Sequence, residues 1–390
     1  MKPDSKKWLT CFFVGSLFIL LSACQGEGNS ESLIERSSQS DSSSEIESEE
    51  ESPIVEIPSE EEILEEMTIE EKVGQLFLAR MPEVETVELA VANHLGGYLW
   101  FAKDFQDKTS EMVQEEVLTL QEAMPIDLFM AVDEEGGDVT RVSSFSQFRE
   151  VPFRSPRDEF QLNGWDGIEE TARASAILLM DLGLNLNLAP VVDVPTSADD
   201  FIFSRSFSTN PTEVATYVER VVTIYHEEGV GNVLKHFPGY GNNVDTHTGV
   251  AYDERNYQTF LERDFLPFQA GIEAGTDMIL VSHNVITAID SDWPASLSTE
   301  VIQVLRNELG FSGLIMTDDL VMEGVQQFAE PGEAAVLAVL AGNDIVISSE
   351  FVLQIEAVLT AVEEGRISEE RLNESVLRIL RTKIRLGIIE

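Results

Sequence analysis

Cysteine, histidine and basic residues are all scarce in this chain of 390 residues. It has two cysteines and five histidines, and its 25 Lys and Arg residues face 71 Asp and Glu residues. Both cysteines, Cys11 and Cys24, lie in the first 24 residues, so the remainder can form neither a disulfide nor a cysteine metal site. A formal net charge of −46 also argues against nucleic acid or an anionic membrane surface as a partner.

Sequences that bind phosphate or activate a serine are missing as well. The chain has no GxxxxGK[ST], no GxGxxG after a strand, and no serine nucleophile elbow. The glycines of "VDEEGG" (132–137) are surrounded by carboxylates, which would repel phosphate. These absences argue against a nucleotide-dependent enzyme and against a serine hydrolase of the α/β type.

The first 24 residues have the layout of an export signal. Three lysines precede an apolar run, and "LSAC" (21–24) ends it. Small residues just before Cys24 resemble the lipobox of bacterial lipoproteins, which implies cleavage before Cys24 and lipid attachment to its sulfur. We therefore predict a signal peptide over 1–23 and an extracytoplasmic protein that is lipid-anchored to the cell membrane. A plain signal peptide and an anchoring helix are the alternatives.

A Ser- and Glu-rich segment follows the predicted lipidation site. Residues 25–66 include fifteen acidic residues and one basic residue, Arg36. Such a composition buries too little apolar surface to offset chain entropy, and we predict a disordered linker over 24–59. Because the chain is so acidic, attachment to the membrane must come from the lipid. Stable attachment needs more than one acyl chain.

From residue 60 to residue 390 the composition is that of a globular domain. Eight apolar, β-branched segments alternate with amphipathic segments of helical length, which indicates a parallel sheet covered on both faces. Eight such units favour a (β/α)8 TIM-type barrel over an open sheet. We predict that this barrel is a single catalytic domain and that the last helix closes it. We expect a monomer. The predicted strands lie within 73–80, 96–102, 126–133, 184–194, 231–237, 277–283, 311–319 and 343–348.

Polar side chains stand at the carboxyl ends of five of these predicted strands. In a (β/α)8 barrel all the carboxyl ends open at one mouth, where active sites are built. Any one such residue could cap a strand or anchor a loop, but five at one rim predict an active site. They are Asp133, Asp193, His236, His283 and Asp318.

Five motifs that carry these residues resemble, in order, those of family 3 glycoside hydrolases. The similarity is greatest to the bacterial β-N-acetylhexosaminidase branch and runs from residue 67 to the C-terminus. Many members of the family append a second α/β domain after the barrel; because this sequence ends at Glu390, we expect the barrel alone. The motifs are "AVDEEGGDVTRV", "LNLAPVVDV", "FSRSFS", "LKHFPGYGNNVDTH" and "GLIMTDDLVMEGV".

The resemblance implies a retaining mechanism with Asp318 as the nucleophile and Asp319 as a structural neighbour. Retention needs a second group that protonates the leaving oxygen and later deprotonates water. The acetylhexosaminidase branch uses an Asp-His pair on a mobile loop, and Asp245 and His247 stand at that position. An imidazole titrates near neutrality and suits this exchange, with Asp245 holding its tautomer. The alternative is that the two side chains only hydrogen-bond within a surface loop.

The remaining motif residues are implied to bind the sugar. Carboxylate and guanidinium groups form strong hydrogen bonds with vicinal hydroxyls. For the two arginines, a structural salt bridge at the rim is the alternative. We expect Asp193 to orient Lys235, and His283 to act without touching substrate. The implied sugar-binding residues are Asp133, Arg141, Arg205, Lys235 and His236.

The sequence departs from the family pattern at three positions. Tyr240 and Asn242 stand where "PGHGD" is usual, and Asp138 replaces a frequent arginine. The Asp-His pair is intact, so the mechanism is retained. We interpret the glycines and asparagines of 239–243 as a source of backbone flexibility that lets the loop move His247 over the bound sugar.

The predicted function is therefore exo-acting release of terminal β-linked N-acetylglucosamine from glycans, such as cell-wall fragments in peptidoglycan turnover. No cofactor and no metal are expected, and the partner is the carbohydrate substrate. Three alternatives remain open: a β-glucosidase of the same family, a metal-dependent barrel hydrolase, and a lipid-anchored sugar-binding protein without turnover. Whether the acceptor is water, phosphate or another sugar is also open.

Overall fold

A computed structural model describes residues 58–389 of the chain, except for the side chain of His247. The predictions for the signal peptide, Cys24 and most of the linker lie outside the described residues. Glu390 also lies outside them. The described residues belong to one compact unit. Between residues 58 and 389, no helix is both long and apolar enough to cross a membrane.

Eight parallel strands form the centre of the domain, and two short strands form a separate parallel pair. In the large sheet the order is β10-β1-β2-β3-β4-β5-β7-β9, while β6 pairs with β8. A bridge between Met316 and Ile345 joins β9 to the residue before β10 and completes the ring. The strands are β1 Phe77–Arg80, β2 Gly97–Trp100, β3 Phe129–Val132, β4 Leu186–Asn187, β5 Gly231–Phe237, β6 Tyr252–Asp253, β7 Met278–Val281, β8 Val285–Ile286, β9 Leu314–Thr317 and β10 Val346–Ser348.

Helices connect the strands and cover the outside of the ring. Two of the longer helical segments are irregular: Pro156–Asp181 bends at Gly164, and a π-helical turn, Phe260–Asp264, precedes Phe265–Glu273. The α-helices are Glu60–Glu66, Ile69–Gln75, Thr86–Ala92, Ala102–Phe105, Ser110–Ala123, Pro156–Asp181, Pro211–Glu227, Tyr257–Thr259, Phe265–Glu273, Thr299–Gln303, Glu323–Gln326, Pro331–Ala341, Phe351–Glu363 and Glu369–Arg385. A second π-helical turn is Val304–Glu308, and the 3-10 turns are Thr246–Thr248 and Ala295–Leu297.

Local sequence signals explain where the first helices begin. Ser59 accepts from the backbone N–H of Glu62, whose carboxylate accepts from the backbone N–H of Ser59. Thr68 and Glu71 repeat this capping box at the next helix. Acidic residues in these first turns also suit the positive end of the helix dipole. The acidic run is therefore not uniform: its last part, Glu60–Glu66, is the first helix of the domain.

The last helix, which the sequence predicted to close the barrel, contacts residues that precede the strands, such as Gln75 and Asp277. Lys383 reaches inward, and its Nζ donates to Oε1 of Gln75 at 2.8 Å and lies 5.0 Å from the centre of the Phe129 ring. Burial lowers the pKa of Lys383 to about 7. Gln75 in turn donates to the carbonyl groups of His94 and Leu95. Lys383 and Gln75 thus fill the amino end of the barrel. Together with the ring of eight parallel strands, this arrangement confirms the predicted (β/α)8 fold.

Candidate active site

A cavity of about 660 Å³ opens at the carboxyl ends of the barrel strands. Its wall contains seven of the eight side chains that the sequence predicted for catalysis or sugar binding. The eighth is His247, whose side chain lies outside the described part of the structure. The seven are Asp133, Arg141, Arg205, Lys235, His236, Asp245 and Asp318.

Three successive acidic residues, Asp133, Glu134 and Glu135, follow β3, and each makes its own set of contacts. Asp133 faces the cavity, with Oδ1 2.5 Å from Nζ of Lys235 and Oδ2 3.8 Å from Nη2 of Arg141. Glu134 turns inward and accepts from the backbone N–H groups of Arg141 at 2.8 Å and Val142 at 2.7 Å. Burial raises the pKa of Glu134, although these hydrogen bonds work to lower it. Glu134 therefore folds the loop back and places Arg141 beside Asp133.

Glu135 lies between two of the predicted sugar-binding cations. It accepts two hydrogen bonds from Arg205, from Nε at 2.9 Å and from Nη2 at 2.7 Å. Nζ of Lys235 lies 2.6 Å from the same carboxylate, which is 3% exposed. Burial acts to raise the pKa of Glu135, but the charges of Lys235 and Arg205 outweigh it and hold that pKa well below its usual range.

The salt bridge offered as the alternative for Arg205 is therefore present. Lys235 and Arg205 still line the cavity, but most of their charge is compensated by Glu135 and Asp133. Glu135 was missed in the sequence because a carboxylate in "DEEGG" carries no sign of its partners, which lie 70 and 100 residues away along the chain.

A change of register in β5 brings two neighbouring side chains to the cavity. Lys235 pairs with Leu280 and Phe237 pairs with Val281, so His236 is an extra residue in the strand. Such a bulge re-aims side chains that would otherwise alternate between faces. Both Lys235 and His236 consequently line the site.

Asp193 holds His236, not Lys235, which corrects the expectation from sequence. Its Oδ2 lies 2.7 Å from Nδ1 of His236 and accepts from the backbone N–H of that residue at 3.1 Å. Its Oδ1 accepts from the backbone N–H of Tyr240 at 2.7 Å. A neutral imidazole with its proton on Nδ1 leaves Nε2 as an acceptor facing the cavity, 3.3 Å from Nη2 of Arg205.

Asp318 follows β9, and its neighbour Asp319 has a separate structural role. The backbone N–H of Asp318 donates to Val281 at 3.0 Å, which fixes its position at the end of the strand. The Asp319 carboxylate accepts from the backbone N–H groups of Val321 and Ser349 and from the Ser349 hydroxyl. Burial raises the pKa of Asp319 in spite of these hydrogen bonds. Asp319 thus ties the end of β9 to the end of β10.

His283 supports the loop that follows Asp318 and does not line the cavity. Its Nδ1 lies 2.7 Å from the Ser296 hydroxyl, and its Nε2 lies 3.1 Å from the backbone oxygen of Asp319. The ring is fully buried. This placement agrees with the expectation that His283 acts without touching substrate.

The loop that carries Asp245 and His247 is anchored at its base. Nη2 of Arg255 donates to the carbonyl of Gly239 at 2.9 Å, and the same guanidinium pairs with Asp253 and Asp264. A Cβ on Gly239 would overlap Asp264, a Cβ on Gly241 would overlap Arg255, and both glycines have positive φ. Burial raises the pKa of Asp264 to about 7, against the effect of Arg255.

These contacts give the glycines of the loop a reason other than swinging motion. They let the backbone pass close to a buried ion-pair network. The first half of the loop is therefore a packed support, which corrects our interpretation of its glycines as freedom of movement. Beyond it, Asp245 lies at the cavity wall and Thr246–Thr248 forms a 3-10 turn.

A second cavity, of about 460 Å³, lies at the opposite end of the barrel. Its walls include Gln75, His94 and Asp127, which precede β1, β2 and β3. None of the predicted site residues lines it. In (β/α)8 barrels this end serves stability, so the chemistry is assigned to the cavity at the carboxyl ends.

Comparisons with known proteins agree with this geometry. Residues 68–382 match the profile of the glycosyl hydrolase family 3 N terminal domain. Beta-hexosaminidase A of Pseudoalteromonas piscicida is 31% identical over 337 residues, covering 77% of this chain and 55% of that protein. The beta-hexosaminidase of Nitrosomonas eutropha is 29% identical over 318 residues, covering 77% and 89%.

A solved structure is also similar to this one. The glycoside hydrolase family 3 beta-N-acetylglucosaminidase from a Paenibacillus species superposes with a TM-score of 0.78 at 29% identity. The superposition covers 83% of this chain and 63% of that one. The chain thus spans less than two thirds of the length of this protein and of the Pseudoalteromonas relative.

Proposed function

Since the chain belongs to glycosyl hydrolase family 3, we propose that it is a retaining, exo-acting β-N-acetylhexosaminidase. It would release terminal β-linked N-acetylglucosamine through a glycosyl-enzyme intermediate. The names of the relatives support this activity. Beta-hexosaminidases and a beta-N-acetylglucosaminidase are among the similar proteins.

One observation carries the proposal: Asp318 and Asp245 line the same cavity as the cluster of Asp133, Lys235 and His236. A carboxylate nucleophile, the support for an acid–base imidazole and a set of hydroxyl-binding groups therefore face one space. That space, about 660 Å³, lies within the range of cavities that bind small molecules.

In the first step, the Asp318 carboxylate attacks the anomeric carbon and the bond to the glycosidic oxygen breaks. His247, next to Asp245 in its loop, donates a proton to that oxygen as it leaves. In the second step, His247 takes a proton from water, and the water oxygen displaces Asp318. Two inversions leave the β configuration unchanged.

The groups with spare hydrogen-bonding capacity hold the sugar. Asp133, Arg141 and His236 all line the cavity, and Nε2 of His236 can accept from a sugar hydroxyl. Because Glu135 compensates Lys235 and Arg205, these cations set the position of Asp133 and His236 more than they attract an anion. A neutral sugar therefore suits the site.

The first test compares two nitrophenyl substrates that differ only at C2. We expect kcat/KM for the N-acetylglucosaminide to exceed that for the glucoside by about 100-fold, since a site that binds an amide group discriminates against a sugar without it. Equal or better turnover of the glucoside would mean a β-glucosidase. Binding of N-acetylglucosamine without turnover of either substrate would mean a sugar-binding protein.

The natural substrate and acceptor belong to the proposal as well. We propose N-acetylglucosamine-terminated fragments of the cell wall as substrate and water as acceptor. Product analysis on defined fragments, with and without phosphate, tests both. Free N-acetylglucosamine in both samples supports hydrolysis, while N-acetylglucosamine 1-phosphate in the second would show a phosphorylase.

We also propose that the mature protein is a lipoprotein anchored to the outer side of the bacterial cell membrane through Cys24. The lipobox-like "LSAC" (21–24) motivates this. Cys24→Ala should move the protein from the membrane fraction to the medium or to an unprocessed precursor, as fractionation and blotting would show. Cys11→Ala is the matched control and should remain membrane-bound. A correctly cleaved Cys24→Ala protein that stays in the membrane would contradict the lipid anchor.

A further inference from the structure

Tyr240 stands at a position where the family pattern has histidine, and its side chain is buried beside the active site. The residue is 2% exposed and lines the cavity. Its ring meets the rings of His236 and Phe201 edge-on, with centres 5.2 Å and 5.6 Å apart. Its phenol oxygen lies 2.7 Å from the hydroxyl of Thr246.

Thr246 is the residue between Asp245 and His247, and it is enclosed on two sides. Tyr240 lies on one side. Gly324 packs closely on the other side: a Cβ added to this glycine would lie 3.2 Å from Cβ of Thr246 and 3.2 Å from Cβ of His283. Thr246 is fully buried. A fixed Thr246 fixes the backbone on which both members of the Asp-His pair are carried.

Tyr240 is itself held by the carboxylate that orients a sugar-binding residue. Asp193 accepts from the backbone N–H of Tyr240 with one oxygen and contacts Nδ1 of His236 with the other. The chain of contacts therefore runs from His236 through Asp193 and Tyr240 to Thr246. Burial raises the pKa of the Tyr240 phenol, and the charge of Asp318 adds to this effect. The phenol stays protonated at any working pH and keeps its hydrogen-bonding capacity.

We propose that Tyr240 is a positioning residue that fixes the Asp245–His247 segment over the substrate through its hydrogen bond to Thr246. This inference rests on the proposed glycosidase function. On this proposal, the tyrosine that replaces the usual histidine links His236, a sugar-binding residue, to the segment that carries the acid–base pair.

The test is leaving-group dependence in Tyr240→Phe, which removes the hydroxyl and keeps the ring. A nitrophenolate departs without protonation, whereas an alkoxide needs a well-placed acid. We expect kcat/KM to change less than about twofold with a nitrophenyl glycoside and to fall about tenfold with an alkyl or sugar aglycone, because small misplacements of a catalytic group are costly. Tyr257→Phe is the control, since its phenol bonds Glu308 at 2.6 Å, outside the cavity. It should leave the leaving-group slope unchanged.

Thr246→Val removes the other hydroxyl and provides an independent variant if Tyr240→Phe does not fold. Each single variant should show the steeper slope, and the double variant should be no worse than either one, because all three lack the same hydrogen bond. A parental slope in both single variants, or losses that multiply in the double variant, would overturn the proposal. Lack of turnover in the unmodified protein would instead contradict the proposed function.

Discussion

Asp318→Asn should abolish turnover of every β-N-acetylglucosaminide while the protein remains folded. The amide cannot attack the anomeric carbon, so we expect kcat to fall on the order of 10⁴-fold or more, as for other lost nucleophiles. The exposed surface and strand contacts are unchanged, and the melting temperature should move little. Steady-state kinetics and thermal unfolding measure the two effects.

Two further experiments identify the residue that forms the covalent bond. A fluorosugar that slows the second step should label Asp318, and fragmentation of the labelled peptide distinguishes it from Asp319. In Asp318→Ala, added azide should restore turnover of a nitrophenyl substrate and give the α-glycosyl azide, since one inversion remains. A label on Asp319, or a β-glycosyl azide, would contradict the assignment.

Asp319→Asn is the matched variant for comparison. Asp319 accepts hydrogen bonds from Val321 and Ser349, and an amide can satisfy only part of this set. We therefore expect lower thermal stability, with turnover that remains measurable. The neighbouring carboxylates are thus distinguished by opposite effects on activity and stability.

His247→Ala should lose activity in proportion to how much the leaving group needs a proton. Proton donation by a placed group contributes about 10²–10⁴-fold. We expect a loss of that size in kcat/KM with a sugar aglycone and a small change with a nitrophenolate. A series of aryl glycosides with increasing leaving-group pKa measures this slope.

Asp245→Asn should show the same trend more weakly. On the proposed mechanism the imidazole of His247 remains, but it loses the Asp245 carboxylate that would favour its charged form. With azide, His247→Ala should give a β-glycosyl azide, because the nucleophile is intact and the second inversion still occurs. If kcat/KM of His247→Ala depends on leaving-group pKa no more steeply than kcat/KM of the unmodified enzyme, His247 is not the acid.

Much of the fold could be predicted because its signals are local. A continuous apolar run predicts a strand buried on both faces, and all eight predicted strands are present in the ring. Ser59 and Thr68 begin helices through partners three residues away. The least accurate boundaries were those of 184–194, where the strand is only Leu186–Asn187, since the sequence cannot show where ladder pairing stops.

The sequence by itself determined the type and order of the secondary elements, the residues at the ends of the strands, and the family motifs that name Asp318, Asp245 and His247. These depend on spacing along the chain. Only the tertiary structure decided that Glu135 compensates Lys235 and Arg205, that Asp193 holds His236, and that Tyr240 meets Thr246. The first two of these arrangements join residues that lie between 43 and 100 positions apart. Such pairs form only when strand register and burial bring the charges together, and no local pattern records which charge will meet which.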